Sequence, residues 1–101
     1  MKPSEVLSAA KGLIDAPEKW IKGRYHRRGS ECDGYCLVGA VECAPLPAWA
    51  PTDQALFYIG TTVGVGPKTG LTGWNDAPER TWEEVMAAFD RAIAMAQEAG
   101  E

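Results

Sequence analysis

Thr81 and Glu84, a hydroxyl and a carboxylate three residues apart, constrain this chain more than any other feature. Groups in that spacing accept hydrogen bonds from amides that the first turn of a helix leaves unpaired, so they mark a helix start. Downstream, Trp82, Val85, Met86, Phe89, Ile93 and Ala96 recur at helical spacing. Glu83, Glu84, Asp90, Arg91, Gln97 and Glu98 fall outside that stripe, and Gly100 supplies a stop. The pattern predicts a helix from about Trp82 to Ala99. One apolar face of that length needs a core to lie against.

The rest of the chain supplies partners for that face. Val6, Leu7, Ala10, Leu13 and Ile14 predict a helix from Ser4 or Glu5 to about Asp15. Pro17 ends it, because its ring disfavours helical geometry at Ala16. Asp33 reads as the cap of a second helix, Gly34 to about Ala44, whose buried face is Leu37, Ala40, Val41 and Ala44. Pro45 and Pro47 stop it. Thr52 and Asp53 open a third helix with Leu56, Phe57 and Ile59 as its apolar content, fading into the glycines 60, 64 and 66. Trp20 and Ile21 read as core anchors within an irregular stretch. Trp74-Asn75-Asp76 reads as a tight polar turn, with Trp74 filling the core ahead of Pro78. The expected architecture is mainly α: a compact bundle of three to four helices with a long irregular insertion, a small β-hairpin being an open alternative. All 101 residues form a single domain.

No apolar run approaches the ~20 residues that cross a bilayer, and the N-terminus turns amphipathic too early for a signal peptide. Three cysteines, an odd number, suggest thiols rather than a disulfide framework. A cytoplasmic protein without membrane attachment is expected. The net charge of -4 disfavours general nucleic-acid binding, yet the charge is unevenly spread. Lys19, Lys22, Arg24, Arg27 and Arg28 lie within ten residues that contain no acid, whereas acids predominate from Asp76 onward. Such a basic segment, with Trp20 and Tyr25 interleaved, suits an anionic partner and, less well, a nucleic-acid backbone.

Three constellations bear on chemistry. His26, Cys32, Cys36 and Cys43 could in principle ligate zinc. On one continuous helix, however, Cys36 and Cys43 stand about 10 Å apart along the axis, where sulfurs on one zinc need about 4 Å. No metal is expected. Cys36, in the first turn of the second helix, could be a thiol nucleophile with its pKa lowered by the helix dipole. His26 would then be its base and Asn75 or Asp76 the orienting group. A small buried residue beside Leu37 is the plainer role for that cysteine. Gly64-Val65-Gly66-Pro67-Lys68-Thr69-Gly70 lacks the glycine before lysine that a phosphate loop requires, and Gly70-Leu71-Thr72-Gly73 opens a helix poorly. A surface loop is expected there, with Lys68 and Thr69 at most touching an anion.

Trp20 with Gly23, Cys36-Leu37-Val38-Gly39-Ala40, and Trp74-Asn75-Asp76-Ala77-Pro78 followed by Arg80-Thr81 and Glu84-Val85 recur in an order that resembles a small uncharacterised domain family of actinobacteria and their phages. The resemblance spans nearly the whole chain and implies a mobile-element origin, with no activity attached. The residues together favour a non-enzymatic accessory protein, without cofactor, that binds a protein partner or a small anionic ligand. Trp74, Asn75, Asp76, Arg24, Arg27 and Arg28 are the expected contacts. A thiol enzyme centred on Cys36 and a nucleic-acid binder using the basic segment are the alternatives.

Overall fold

The computed structural model describes residues 1–23 and 34–101, and it is mainly α. Five α-helices occur among the described residues: α1 (Pro3–Leu13), α2 (Leu37–Cys43), α3 (Thr52–Val63), α4 (Thr69–Asp76) and α5 (Trp82–Glu98). A 3-10 turn, Pro17–Lys19, lies between α1 and α2. The described residues contain no strand. A parallel bridge joins Trp20 to Tyr35; the residues between Gly23 and Gly34, where a hairpin was an open alternative, lie outside the described residues.

Helix α1 begins at Pro3, which needs no amide partner in the first turn, and the Glu5 carboxylate accepts the Lys2 amide at 2.7 Å. Its inner face is Val6, Leu7 and Ala10, with Ile14 buried just beyond its end. Ala16 is extended, as a residue before proline should be, but Pro17 starts the 3-10 turn rather than merely ending a helix.

Helix α2 starts three residues later than the Gly34 expected from sequence. Residues 34–36 are drawn out by the bridge to Trp20: the Ile21 amide donates to Tyr35 O at 3.0 Å, and the Tyr35 amide to Lys19 O at 2.9 Å. The expected cap, Asp33, lies outside the described residues; Cys36 occupies the cap position. Every residue from Leu37 to Val41 is buried, so this short helix is central.

Helix α3 runs through Gly60 to Val63 and closes on Gly64 in the left-handed conformation (φ 77°). Gly60 is needed there: a Cβ on it would stand 2.8 Å from Val65 O as the chain doubles back. Leu56 and Ile59 are buried, but Phe57, expected with them, is 58% exposed.

The largest departure from expectation is α4. The stretch expected as a loop and then a polar turn is helical from Thr69 to Asp76, despite Gly70 and Gly73. Buried Leu71 and Asn75, one turn apart, hold it against the core, and tertiary contact overrides a helix cost of up to about 1 kcal/mol per glycine. The reversal comes afterwards, where the Arg80 amide donates to Ala77 O at 3.0 Å.

The capping box of α5 forms as its spacing predicts, with the Glu84 amide on Thr81 Oγ1 and the Thr81 amide on Glu84 Oε1. Helix α5 packs against α1 and α3, α1 also lies on α2 and α3, and α4 is held by α2. Val85, Phe89 and Ala96 are buried as expected, but Ala88 and Ala92 are buried too, while Trp82, Met86 and Ile93 flank them, partly covered. The stripe is centred on two alanines, whose small side chains let the helices approach closely. The Trp82 indole N–H ties the start of α5 to Ile14 O at 2.8 Å. No helix among the described residues is long and apolar enough to cross a membrane.

Candidate functional site

Successive residues of a helix point about a third of a turn apart, so Trp74, Asn75 and Asp76 in the last turn of α4 serve three different neighbours. Asn75 turns inward and is fully buried. Its Oδ1 accepts from the Trp20 indole N–H at 2.6 Å and from the Leu37 amide at 3.1 Å. Its Nδ2 donates to Ile21 O at 3.1 Å and to Asp76 Oδ1 at 2.9 Å. Asp76 accepts in addition from the Gly23 amide at 3.0 Å. Asn75, expected as a ligand contact, therefore has both acceptor sites and both donors engaged within the fold. Together with Asp76 it ties residues 20–23 and the α2 N-terminus to α4, and it caps α2 from outside by taking the Leu37 amide.

Cys36 sits beside this knot, next to Leu37, whose amide Asn75 takes. Its chemistry departs from the nucleophile expectation. The thiol is 1% exposed, and Sγ accepts from the Gly39 amide at 3.3 Å. Burial pushes its pKa above the ordinary 9.0; the Gly39 and Val38 amides oppose that, and the nearby Asp76 carboxylate adds to it. Desolvation outweighs the helix amides because this short helix starts inside the core rather than at the surface. His26, the expected base, lies outside the described residues. Asn75 is committed elsewhere, so the Cys-His-Asn arrangement has no described partner for the thiol.

Cys43 stands at the far end of α2 and is exposed, and Cys32 lies outside the described residues. No group of three or more His, Cys, Asp or Glu side chains suited to a metal occurs among the described residues. Of the basic segment, Arg24, Tyr25, Arg27 and Arg28 likewise fall outside them. Lys19 pairs with Asp15 at 3.0 Å, and Lys22 donates to Ala77 O at 2.8 Å with its ammonium 5.4 Å from the Trp20 ring centroid. Lys22 is thus tied to the fold, while Lys19 forms an exposed surface pair. Lys68 (φ 60°) pairs with Glu42 at 3.5 Å and lines, with Asp53, Leu56 and Pro67, a recess of about 210 Å³. Two acids, Glu42 and Asp53, against one lysine make that recess a poor anion site.

Trp74 faces a different space. A cleft of about 380 Å³ opens between the end of α3, the end of α4 and the first half of α5, lined by Thr62, Val63, Trp74, Arg80, Glu84, Ala87 and Arg91. The Arg80 guanidinium carbon lies 4.0 Å from the Trp74 ring centroid. Its Nε donates to Trp74 O at 2.9 Å, and one terminal nitrogen to Glu84 Oε2 at 3.0 Å. The ring contact and these two bonds hold the guanidinium in place, and among the described residues its second terminal nitrogen has no hydrogen-bond partner. Glu84 is held below the ordinary carboxylate pKa, first by the Thr81 amide and then by Arg80, so it stays ionised. Arg91 is exposed and makes no hydrogen bond or ion pair among the described residues. The Thr62 hydroxyl donates to Tyr58 O at 3.0 Å, so its proton is already used, and Val63 adds an apolar side chain to the lining.

Of the expected contacts that lie among the described residues (Trp74, Asn75 and Asp76), only Trp74 lines this cleft. Arg80 and Arg91 were not singled out from sequence. Their signal was present: Glu84, Ala87 and Arg91 recur at three and four residues on one face of α5, and Arg80 is the residue before the capping threonine. What the linear pattern lacked was the knowledge that α4 carries Trp74 onto that face.

A family described as of unknown function (DUF6197) matches residues 1–95. No curated protein and no solved structure matches the chain.

Proposed function

We propose that this chain, which belongs to the DUF6197 family of unknown function, is a small non-enzymatic accessory protein that binds a small anionic ligand in the cleft beside Trp74. One observation carries the reading: a rigid arginine stacked on an indole and an arginine with no described acid partner line the same 380 Å³ space. That volume is within the range of small-molecule sites. Pre-set guanidinium donors bind anions well, since little side-chain freedom is lost on contact. A thiol enzyme is disfavoured by the burial and raised pKa of Cys36.

Titration of the protein at low ionic strength with acetate, benzoate, inorganic phosphate and phenyl phosphate, followed by amide and indole NMR shifts, tests the proposal. Saturable shifts should appear at Val63, Ala87, Arg91 and the Trp74 indole. Arg91→Gln should weaken binding about tenfold. Cys36→Ser should leave it unchanged. If no anion moves those resonances, the cleft is not a binding site and the proposal fails.

A further inference from the structure

The charges and shape of the cleft say more about its ligand than its sign. Arg80 and Arg91 contribute two positive charges and the ionised Glu84 one negative, leaving one net positive charge. A monoanion matches that balance. A phosphate monoester carries about -1.5 to -2 at neutral pH and would bring surplus charge against Glu84. Shape points the same way. Arg80 lies over the Trp74 ring with Nε and one terminal nitrogen already used, so its other terminal nitrogen and the Arg91 guanidinium remain to hold the two oxygens of a carboxylate. Val63 and Ala87 add two apolar side chains to the lining.

We infer that the ligand is a monocarboxylate on an apolar body, its carboxylate held between Arg80 and Arg91 and its carbon skeleton against Val63 and Ala87. The inference rests on the anion-binding proposal and narrows it to one chemistry. That chemistry is shared by a free small acid and by the C-terminal carboxylate of a peptide ending in an apolar residue.

Benzoate and phenyl phosphate are matched probes, with the same ring and different head groups. Benzoate should bind more tightly at pH 7.5, and the gap should narrow at pH 5.5, where the phosphate regains its second proton. Glu84→Gln keeps the capping geometry, since glutamine serves that position, but removes the negative charge. It should raise phenyl phosphate affinity about fivefold and benzoate affinity less. N-acetylphenylalanine, compared with its amide, distinguishes the sources. Tighter binding than benzoate identifies a peptide end, and weaker binding a free acid; either supports the carboxylate, provided the amide does not bind. If phenyl phosphate binds more tightly than benzoate to the unsubstituted protein, the carboxylate assignment is overturned while the anion-binding proposal stands. If neither binds, the carboxylate assignment falls, and if acetate and inorganic phosphate fail as well, the anion-binding proposal falls with it.

Discussion

Asn75 joins three parts of the chain that are distant in sequence, the Trp20–Ile21 segment, the α2 start and the α4 end, through one side-chain amide. Replacing it by alanine strands the Leu37 amide and the Trp20 indole N–H without an acceptor, and Ile21 O loses a donor. Each buried group left unpaired costs about 1–3 kcal/mol, and neighbouring losses do not add fully. Asn75→Ala should therefore lower unfolding free energy by about 3–5 kcal/mol in denaturant titration. Asn75→Asp keeps the acceptor but sets a second carboxylate against Asp76, so it should recover only part of that loss. An alanine variant within about 0.5 kcal/mol of the parent would show that Asn75 does not hold the knot. Sequence singled out Trp74-Asn75-Asp76 as a polar cluster beside an indole, and that much was legible. Its division of labour was not, because the direction of each side chain depends on whether those residues form a turn or a helix.

At the scale of elements, α1, α3 and α5 were legible, since each carries enough apolar residues at helical spacing to declare itself. Helix α4 was not. Its eight residues include two glycines, and its apolar content is Leu71 and Trp74, too little for a periodic signal. It exists because the core buries Leu71 while the Leu37 amide, the Trp20 indole and Ile21 O give Asn75 its hydrogen-bond partners. Two glycines within helices separate propensity from packing. Gly12 lies on the exposed side of α1, and a Cβ there meets nothing within 4 Å. Gly12→Ala should stabilise by about 0.5–1 kcal/mol through backbone entropy alone. Gly60→Ala, at equal propensity gain, should destabilise, because its Cβ would press on Val65 O, a backbone atom that must move. Thermal midpoints of the two variants should shift in opposite directions. A shift upward for both would mean that the Gly60–Val65 contact yields easily.

For the molecule as a whole, pH tests how the ends and centre are tied. Burial raises the Cys36 pKa above 9.0, and the hydrogen bond to Glu101 raises that of Tyr58 above 10.0. The folded state holds both protons more tightly than the unfolded chain. Their contributions are complete below about pH 9 and are lost as pH rises through the folded values. Glu84 has the opposite sign: its contribution is present above 4.5 and is lost as pH falls through its lowered value. Denaturant midpoints should be flat near neutrality and decline on the alkaline side from about pH 9. Cys36→Ser retains a capping oxygen without a titrating thiol and should flatten the first part of that decline; an unchanged alkaline limb would place the titration elsewhere. What the sequence by itself determined is the helical class, the start of α5 and the apolar faces that must meet, because capping and periodicity act between residues a few positions apart. Tertiary structure alone decided between the buried and the reactive role open to Cys36, that α4 is a helix, and that Trp74, Arg80 and Arg91 line one cleft. Those outcomes depend on which surfaces come together from distant parts of the chain, and desolvation and stacking act only once they have met.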